Sequence, residues 1–232
     1  MEVIEIDGLT ITVVRSQRRT VCMRINEDGV AEVLVPRRIS EKLLCDTVAP
    51  YVNKLKHHQA EVIHRIEARG EFELTYGDCV RFLGGKRVIR SGEAGYVKYD
   101  EHGFYIPPRL DSDEIRDAVV RIYKLAAKEY LAARVAELTP LLGCDVKSVK
   151  VNSATSHWAS CSRRDTLNFS WFCMMAKPEA VDYIIIHELC HMYEFNHSDR
   201  FWSLVERYCW DYKNHRAYLK ALWREILTER WK

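Results

Sequence analysis

The spacing of hydrophobic positions divides the chain into stretches with a strand period and stretches with a helical period. Near the N-terminus, the β-branched run Thr10–Val14 and the segments Cys22–Ile25 and Val30–Val35 predict strands. Asn26–Gly29 lies between the last two segments and has the composition of a hairpin turn. A helical segment follows, with Ser40 as its predicted N-cap, and it runs to about residue 70. The pattern predicts a β-rich start followed by a helix.

The middle of the chain repeats this alternation. Residues 72–107 combine short apolar runs with turn residues and predict a β meander. Apolar side chains then recur at helical spacing from Ile115 to Ala133, after Ser112 as a predicted N-cap. Two more strands are predicted at Val146–Val151 and Asp165–Phe172.

The next segment predicts an apolar helix that carries polar residues. Pro178 suits the first position of a helix, and Ala180–Ile186 is apolar enough to be buried on most sides. We expect this helix to end near Phe195–Asn196, because asparagine tolerates the left-handed conformation of a C-terminal cap. Ser198 is a predicted N-cap for a following helix. His197 is therefore predicted at a tight corner between two helices.

The segment His187–His191 within that helix reads H-E-x-x-H. Histidines at positions i and i+4 project from one face of a helix, so both imidazoles can reach one Zn²⁺. Glu188 lies on the neighbouring flank, where its carboxylate can hold a water bound to the metal. A buried helix would leave these polar groups unpaired at a high cost, and a metal removes that cost. The pattern predicts His187 and His191 as zinc ligands and Glu188 as the general base.

A catalytic zinc site has three protein ligands and keeps a fourth position open. His197 follows His191 by six residues and is the predicted third ligand. Glu194 and Glu206 compete with it, because some enzymes with this motif use a downstream glutamate. Glu194 lies one helical turn after His191, where it can instead accept a hydrogen bond from an imidazole N–H. An accidental H-E-x-x-H would typically lie on an exposed, polar helix without a third histidine.

Several motifs in the C-terminal half match a known family. They are Ser156–Cys161, Leu167–Trp171, His187–His191, Asn196–Ser198 and Phe201–Trp202. On these motifs the chain resembles the YgjP-like metallopeptidase family, which is related to SprT-like and WLM domains. The match is tight from about residue 146 to residue 219. It is looser in the N-terminal part, where residues 82–85 resemble a family turn.

The first of these motifs departs from the family pattern, which is typically R-W-G-S-C. This chain has His157 and Ala159 in place of the arginine and the glycine. These changes leave the metal motif intact and concern the contact of this strand with a ligand. The resemblance implies a zincin-like catalytic fold, with the same three histidines on zinc and Glu188 as the base. It does not specify a substrate.

The amino-acid composition limits which classes of protein the chain can belong to. The 232 residues are 47% hydrophobic and 29% charged, which is ordinary for a globular protein with a substantial core. A formal net charge of +2 is too small to indicate a nucleic-acid partner. No apolar run has the length of a transmembrane helix, and Glu2–Asp7 is acidic where a signal peptide is basic. We expect a cytoplasmic protein with its eight cysteines reduced and no membrane partner.

Basic residues in the predicted β regions define an alternative function. They are Arg15, Arg18, Arg19, Arg24, Arg37, Arg38, Arg81, Lys86, Arg87 and Arg90. A solvated face balanced by acidic neighbours is the favoured explanation. If strand alternation puts several on one face, they can hold phosphates, and the zinc site would then act as a nucleoside triphosphate pyrophosphatase. A non-catalytic zinc-containing binding module is the third alternative, and Glu188 argues against it because a structural site needs no base.

The predicted function is that of a zinc metallopeptidase acting on a polypeptide substrate. Zinc lowers the pKa of its bound water, and Glu188 takes the proton as the water attacks the peptide carbonyl. Tyr212, His215 and His157 are candidates for a second donor to the oxyanion. The strand at Asn168–Ser170 is a candidate for pairing with an extended peptide.

The predicted fold class is α+β. An N-terminal β-rich subdomain with a helical segment is expected over residues 1–107, and a zincin-like catalytic domain over residues 108–232. Pro107–Pro108 marks the expected boundary, and a single compact unit is the alternative.

Overall fold

The computed structural model describes residues 2–231, with Arg69 described by its backbone alone. These residues form a mixed α and β structure with several small sheets. The chain divides into two compact units, one made of residues 2–72 and 226–230 and one made of residues 73–225 and 231. The boundary expected after residue 107 lies inside the second unit. Within residues 2–231, no helix combines the length and the apolar character that crossing a bilayer requires.

The first unit contains a four-stranded sheet. Its strands are β1 (Glu2–Ile6), β2 (Leu9–Ser16), β3 (Cys22–Ile25) and β4 (Ala31–Pro36), in the spatial order β1-β2-β4-β3. The pairs are antiparallel except β2 with β4, which is parallel. The predicted hairpin turn is confirmed, because Gly29 has a φ of 80° and the Asn26 side chain accepts backbone hydrogen bonds from Asp28 and Val30.

Two helices follow this sheet, α1 (Glu41–Val48) and α2 (Val52–Glu71). The Ser40 side chain accepts a hydrogen bond from the Leu43 backbone N–H, so the predicted N-cap is confirmed. Alternate residues of β2 and β4 pack with the first helix in one hydrophobic core. The members shared by the strands and α1 are Leu9, Ile11, Val13, Ala31, Val33, Val35, Leu44 and Val48.

The second unit begins with another four-stranded sheet. Its strands are β5 (Cys79–Phe82), β6 (Gly85–Ser91), β7 (Lys98–Tyr99) and β8 (Gly103–Ile106), in the order β5-β6-β8-β7. The predicted meander is wrong, because β8 pairs with β6 in parallel and separates it from β7. The turn between β5 and β6 lies against the start of a later helix. A Cβ added at Gly84, where φ is 76°, would lie 3.1 Å from the Lys177 Cβ.

A long helix, α3 (Ser112–Leu142), follows. Its N-cap is Asp111 and not Ser112 as predicted, because Asp111 forms a reciprocal capping box with Glu114. The Ser112 hydroxyl instead accepts a hydrogen bond from the Leu74 backbone N–H. The helix ends at Gly143, which has a φ of 71°. Most of the predicted apolar stripe is buried, as shown by Ile115, Val119, Ile122 and Ala126, but Ala133 at its end is exposed.

A three-stranded sheet comes next, with β9 (Ser148–Asn152), β10 (Ala159–Cys161) and β11 (Thr166–Ser170). The spatial order is β10-β11-β9, with β11 parallel to β9 and antiparallel to β10. The candidate strand for peptide pairing, β11, therefore has both neighbours occupied within the sheet. That expectation is wrong for β11, and β10 lies at the edge instead.

The chain ends with α4 (Pro178–Cys190), α5 (Asp199–Tyr208) and α6 (Tyr212–Ile226). Pro178 begins α4 as predicted, and the Ala180–Ile186 segment is mostly buried. Within that segment, Asp182 forms an ion pair with Arg134 of α3 through two hydrogen bonds of 2.6 and 2.8 Å. The predicted end at Phe195–Asn196 is wrong. The helix tightens earlier, because the Met192 and Tyr193 backbone N–H groups bond carbonyls three residues back.

Candidate metal centre

Three histidine side chains converge at the C-terminal end of α4. They are His187, His191 and His197, and each offers a ring nitrogen within 4.8 Å of the other two. The Nε2 atoms of His187 and His197 are 3.1 Å apart. Two nitrogens bound to one tetrahedral zinc at ordinary distances are about 3.3 Å apart. The donor set and its spacing fit a metal ion. Among residues 2–231, the competing candidates Glu194 and Glu206 are outside this group.

The local backbone brings the histidines together. His191 follows the last residue of α4 but keeps helical angles, with φ of −66° and ψ of −16°, so it stays one turn from His187. The chain then turns through residues 192–198, and Ser198 caps α5 by accepting a hydrogen bond from the Phe201 backbone N–H, as predicted. His197 is thereby returned towards the α4 pair.

Hydrogen bonding selects the tautomer of His191. Its Nδ1 lies 3.1 Å from the backbone carbonyl oxygen of Glu194. A carbonyl only accepts, so Nδ1 carries the proton and Nε2 keeps its lone pair for a ligand. Glu194 therefore supports the histidine through its backbone and not through its carboxylate. The Nδ1 of His187 is buried without a hydrogen-bond partner among the described residues.

The aromatic ring of Phe201 packs against all three imidazoles. Phe201 is fully buried, and its ring centroid is 4.5 to 4.9 Å from each of the three histidine rings. Burial lowers the pKa of His187 to about 3, and the charges of His191, His197 and Arg216 add to this effect. The neutral imidazole, which is the form that binds metals, is thus favoured at neutral pH.

Glu188 is the buried carboxylate of the site, with a relative exposure of 6%. Desolvation raises the pKa of Glu188 to about 7, although a hydrogen bond from the Cys161 backbone acts in the opposite direction. Cys161 belongs to β10, so the edge strand contacts the base directly. A carboxyl group with such a pKa exchanges protons readily near neutral pH.

A cavity of about 380 Å³ is lined by His187 and Glu188 and by residues from two other parts of the fold. Its lining comes from the segment entering β10, from α4 and from α6. Trp158 fixes the β10 side, since its ring packs 4.4 Å from Trp223 and its carbonyl accepts a hydrogen bond from the Ser170 backbone. The lining residues are His157, Trp158, Ala159, Tyr183, Ile184, His187, Glu188, Arg216, Leu219 and Lys220.

Comparisons with known proteins place this chain in a family. A family model described as "YgjP-like, metallopeptidase domain" matches residues 19–222, which is most of the chain. The chain belongs to the YgjP-like metallopeptidase family. A solved structure described as the metallopeptidase zymogen of Pyrococcus abyssi abylysin is also similar, at 25% identity over 32% of this chain and 75% of that chain, with a TM-score of 0.30. No curated protein matches the chain.

Membership of a metallopeptidase family makes this YgjP-like protein a hydrolase and implies a divalent metal. Of the three predicted oxyanion donors, His157 lines the cavity and Tyr212 and His215 do not. Tyr212 stacks on Trp202 with ring centroids 5.3 Å apart, and His215 stacks on Tyr183 at 6.2 Å.

Sequence reasoning missed Tyr183, Arg216 and Lys220 in the cavity of this YgjP-like protein. Tyr183 lies four residues before His187 on α4 and shares its face, so the helical period could have identified it. Arg216 and Lys220 carry no such signal, because α6 reaches the cavity only through tertiary packing.

The basic residues of the predicted β regions are divided between the two units of this YgjP-like protein, residues 15–38 in the first and residues 81–90 in the second. Arg15 holds Glu2 through two hydrogen bonds, and Arg24 holds Glu32 in the first unit. In the second unit, Arg81 pairs with Glu225. These exposed pairs resemble the solvated, balanced surface that the sequence favoured.

Proposed function

We propose that the protein is a zinc-dependent metallopeptidase with a zincin-like catalytic fold. In this proposal His187, His191 and His197 hold the ion and Glu188 is the general base. The observation that supports it most is the convergence of three imidazole nitrogens, one of them from His187, which lines a cavity together with the buried carboxylate of Glu188. Three protein ligands leave the fourth coordination position open for water or substrate, whereas structural zinc sites have four protein ligands.

When bound, zinc acidifies a water molecule and polarises the carbonyl of the substrate. Glu188 accepts a proton from the attacking water at a carboxylate oxygen and delivers it to the nitrogen of the leaving amine.

His157 and Tyr183 are the proposed donors to the oxyanion that develops on the substrate. Both line the cavity beside His187 and Glu188. The Ser156 hydroxyl lies 2.8 Å from the His157 Nδ1. When this hydroxyl donates to Nδ1, the His157 Nε2 carries the proton and can donate to the oxyanion.

An extended polypeptide is the proposed substrate, and β10 is the proposed strand for its binding. β10 lies at the edge of its sheet, contacts α4, and supplies Ala159 to the cavity wall. A substrate strand added to such an edge gains main-chain hydrogen bonds without a requirement for a particular sequence. The carbonyl to be cleaved would then pass beside Glu188.

The decisive variant is Glu188→Gln. Glutamine keeps the size of the side chain but cannot accept a proton, so hydrolysis of an unstructured, labelled polypeptide should fall roughly 10²–10⁴-fold. Zinc content by elemental analysis and the unfolding temperature of the zinc-loaded protein should stay close to wild type. Glu179→Gln, in the first turn of α4 and outside the cavity, is the matched control and should keep full activity.

Two outcomes would contradict this proposal. Full activity in Glu188→Gln would mean that the reaction does not use this base. Loss of zinc in Glu188→Gln would mean that Glu188 is a ligand, and the three-histidine set would have to be redrawn. Wild-type activity should also disappear with a chelator and return with added Zn²⁺.

A further inference from the structure

Two cations on the wall of the candidate active cavity have no carboxylate partner in the part of the chain that the structure describes. Arg216 and Lys220 lie one turn apart on α6, and both line the cavity that contains His187 and Glu188. Within residues 2–231, neither side chain forms an ion pair or a hydrogen bond. Arg15, Arg24 and Arg134, by contrast, have acidic partners. The cavity cations are therefore available to an external anion.

Arg216 is nevertheless held in place. Its guanidinium lies over the Trp202 ring, 5.1 Å from the centroid, and this ring stacks on Tyr212 at 5.3 Å. Trp202 also stacks on His197 at 5.6 Å. A guanidinium that stacks through its face keeps its in-plane N–H groups free to donate. The aromatic contact thus fixes the charge beside the proposed metal site without consuming its donors.

The remaining walls of the cavity are chemically different from these cations. Trp158, Ala159, Ile184 and Leu219 are apolar, and Glu188 is the carboxylate among the lining residues. A carboxylate carried on a short apolar stem matches both features, since the stem packs on the apolar wall and the charge meets the cations. Arginine binds carboxylates through two parallel hydrogen bonds, which adds geometric selectivity.

We propose that Arg216 and Lys220 form a carboxylate-binding subsite that selects substrates carrying a carboxylate close to the scissile bond. This inference rests on the proposed metallopeptidase function and names a substrate class for it. The carboxylate has two sources, an aspartate or glutamate side chain or the C-terminus of the peptide. Both present the same chemistry to the cations, and the substrates in the test separate them.

The cleavage test uses zinc-loaded full-length protein and matched quenched peptides. Each peptide has Glu or Gln at one of the positions flanking the scissile bond, and each is made with a free or an amidated C-terminus. We expect the carboxylate form to be preferred about tenfold in kcat/KM at one position, as one partly exposed charge-assisted pair allows. A preference for Glu identifies a side chain, and a preference for the free acid identifies the C-terminus.

Variants on α6 assign that preference to residues. Arg216→Gln and Lys220→Gln together should remove it, and Arg216→Lys should retain part of it. Arg224→Gln and Lys213→Gln are the matched controls, because these cations lie on α6 outside the cavity lining, and they should keep the full preference. Thermal unfolding of each variant shows whether the fold is intact. An unchanged preference in the double variant, or no preference in wild type, overturns the subsite.

A binding measurement separates failure of the subsite from failure of the proposed function. Calorimetry on zinc-loaded Glu188→Gln protein compares the same Glu and Gln peptides without turnover. Tighter binding of the carboxylate peptide that depends on Arg216, with no cleavage by wild type, supports the subsite and overturns the peptidase. Cleavage without any carboxylate preference supports the peptidase and overturns the subsite. If the protein shows neither a binding preference nor cleavage, the subsite and the peptidase function are both overturned.

Discussion

The arginines of the N-terminal sheet and the cations of the candidate active cavity carry the same charge in different surroundings. Arg15 and Arg24 each bind a carboxylate of the same sheet. Arg216 and Lys220 have no such partner among residues 2–231. A sequence locates charges, but only the neighbours decide which charges remain for a ligand.

Buried polar atoms without a partner occur in both regions. Near the candidate metal centre, the His187 Nδ1 is buried without a hydrogen-bond partner among the described residues, and Glu188 is buried in spite of its charge. Unsatisfied polar groups are uncommon in folded proteins and mark sites where stability has been given up for function. In the first unit, the Arg18 Nε departs from the satisfied pattern. Arg18 is therefore the residue to replace in a test of whether the first unit binds an anion.

The largest expected effect is on metal content. Wild type should hold about one Zn²⁺ per chain. His187→Ala or His191→Ala should lose most of this zinc, because only two of the three protein ligands are then left to hold the ion. His197→Ala should weaken binding by a smaller but clear margin, since this residue is exposed at the corner after α4. Elemental analysis after dialysis measures the zinc content of each protein. His58→Ala, in the first unit beside Glu61, should change nothing.

Two results would break the metal assignment. A protein without stoichiometric metal, even after zinc is added at neutral pH, would remove the site altogether. If Glu194→Ala or Glu206→Ala lowers the metal content while His197→Ala does not, the third ligand is a glutamate.

The second effect is on the stability of the metal-free protein. Burial raises the pKa of Glu188 from 4.5 to about 7, so the native state binds more protons than the unfolded state between these pH values. The free energy of unfolding therefore falls as the pH rises through that window. The full loss is roughly 3 kcal/mol above pH 7, at about 1.4 kcal/mol per pKa unit.

Glu188→Gln removes this charge and should stabilise the chelator-treated protein by a similar amount at pH 8. The difference between the variant and wild type should shrink towards zero near pH 4, where Glu188 is protonated in both states. Urea unfolding at several pH values measures the difference. Glu179→Gln, which is exposed on the same helix, should show no such dependence. A difference that is constant with pH would mean that Glu188 is not desolvated.

The smallest effect is expected in the first unit. Replacing Arg18 and Arg19 together with glutamate should leave peptide cleavage and zinc content within about twofold of wild type. If this region instead holds phosphates, wild type should hydrolyse nucleoside triphosphates and the same double variant should lose that activity. Such a loss would restore the pyrophosphatase alternative and remove the contrast between the two regions. A loss of both activities would indicate misfolding.

Local elements were predictable where the signal lies within a few residues. The turn at Asn26–Gly29 and the caps at Ser40 and Ser198 depend on backbone groups next to them, and the structure confirms these elements. The end of α4 was misplaced, because the helix tightens several residues before the asparagine that suggested a cap. The bounds and the edge position of β10 were not predicted, since Ala159–Cys161 is short and its strand conformation depends on pairing with β11.

The sequence by itself determined the chemistry of the candidate site. A helical period of 3.6 residues puts His187 and His191 on one face, and a chain corner six residues later brings His197 within reach. The tertiary structure decided the environment of those groups. Packing of the edge strand and α6 against α4 buries Glu188 and leaves Arg216 and Lys220 on the cavity wall. Such contacts join residues far apart in the chain, so no local period can encode them.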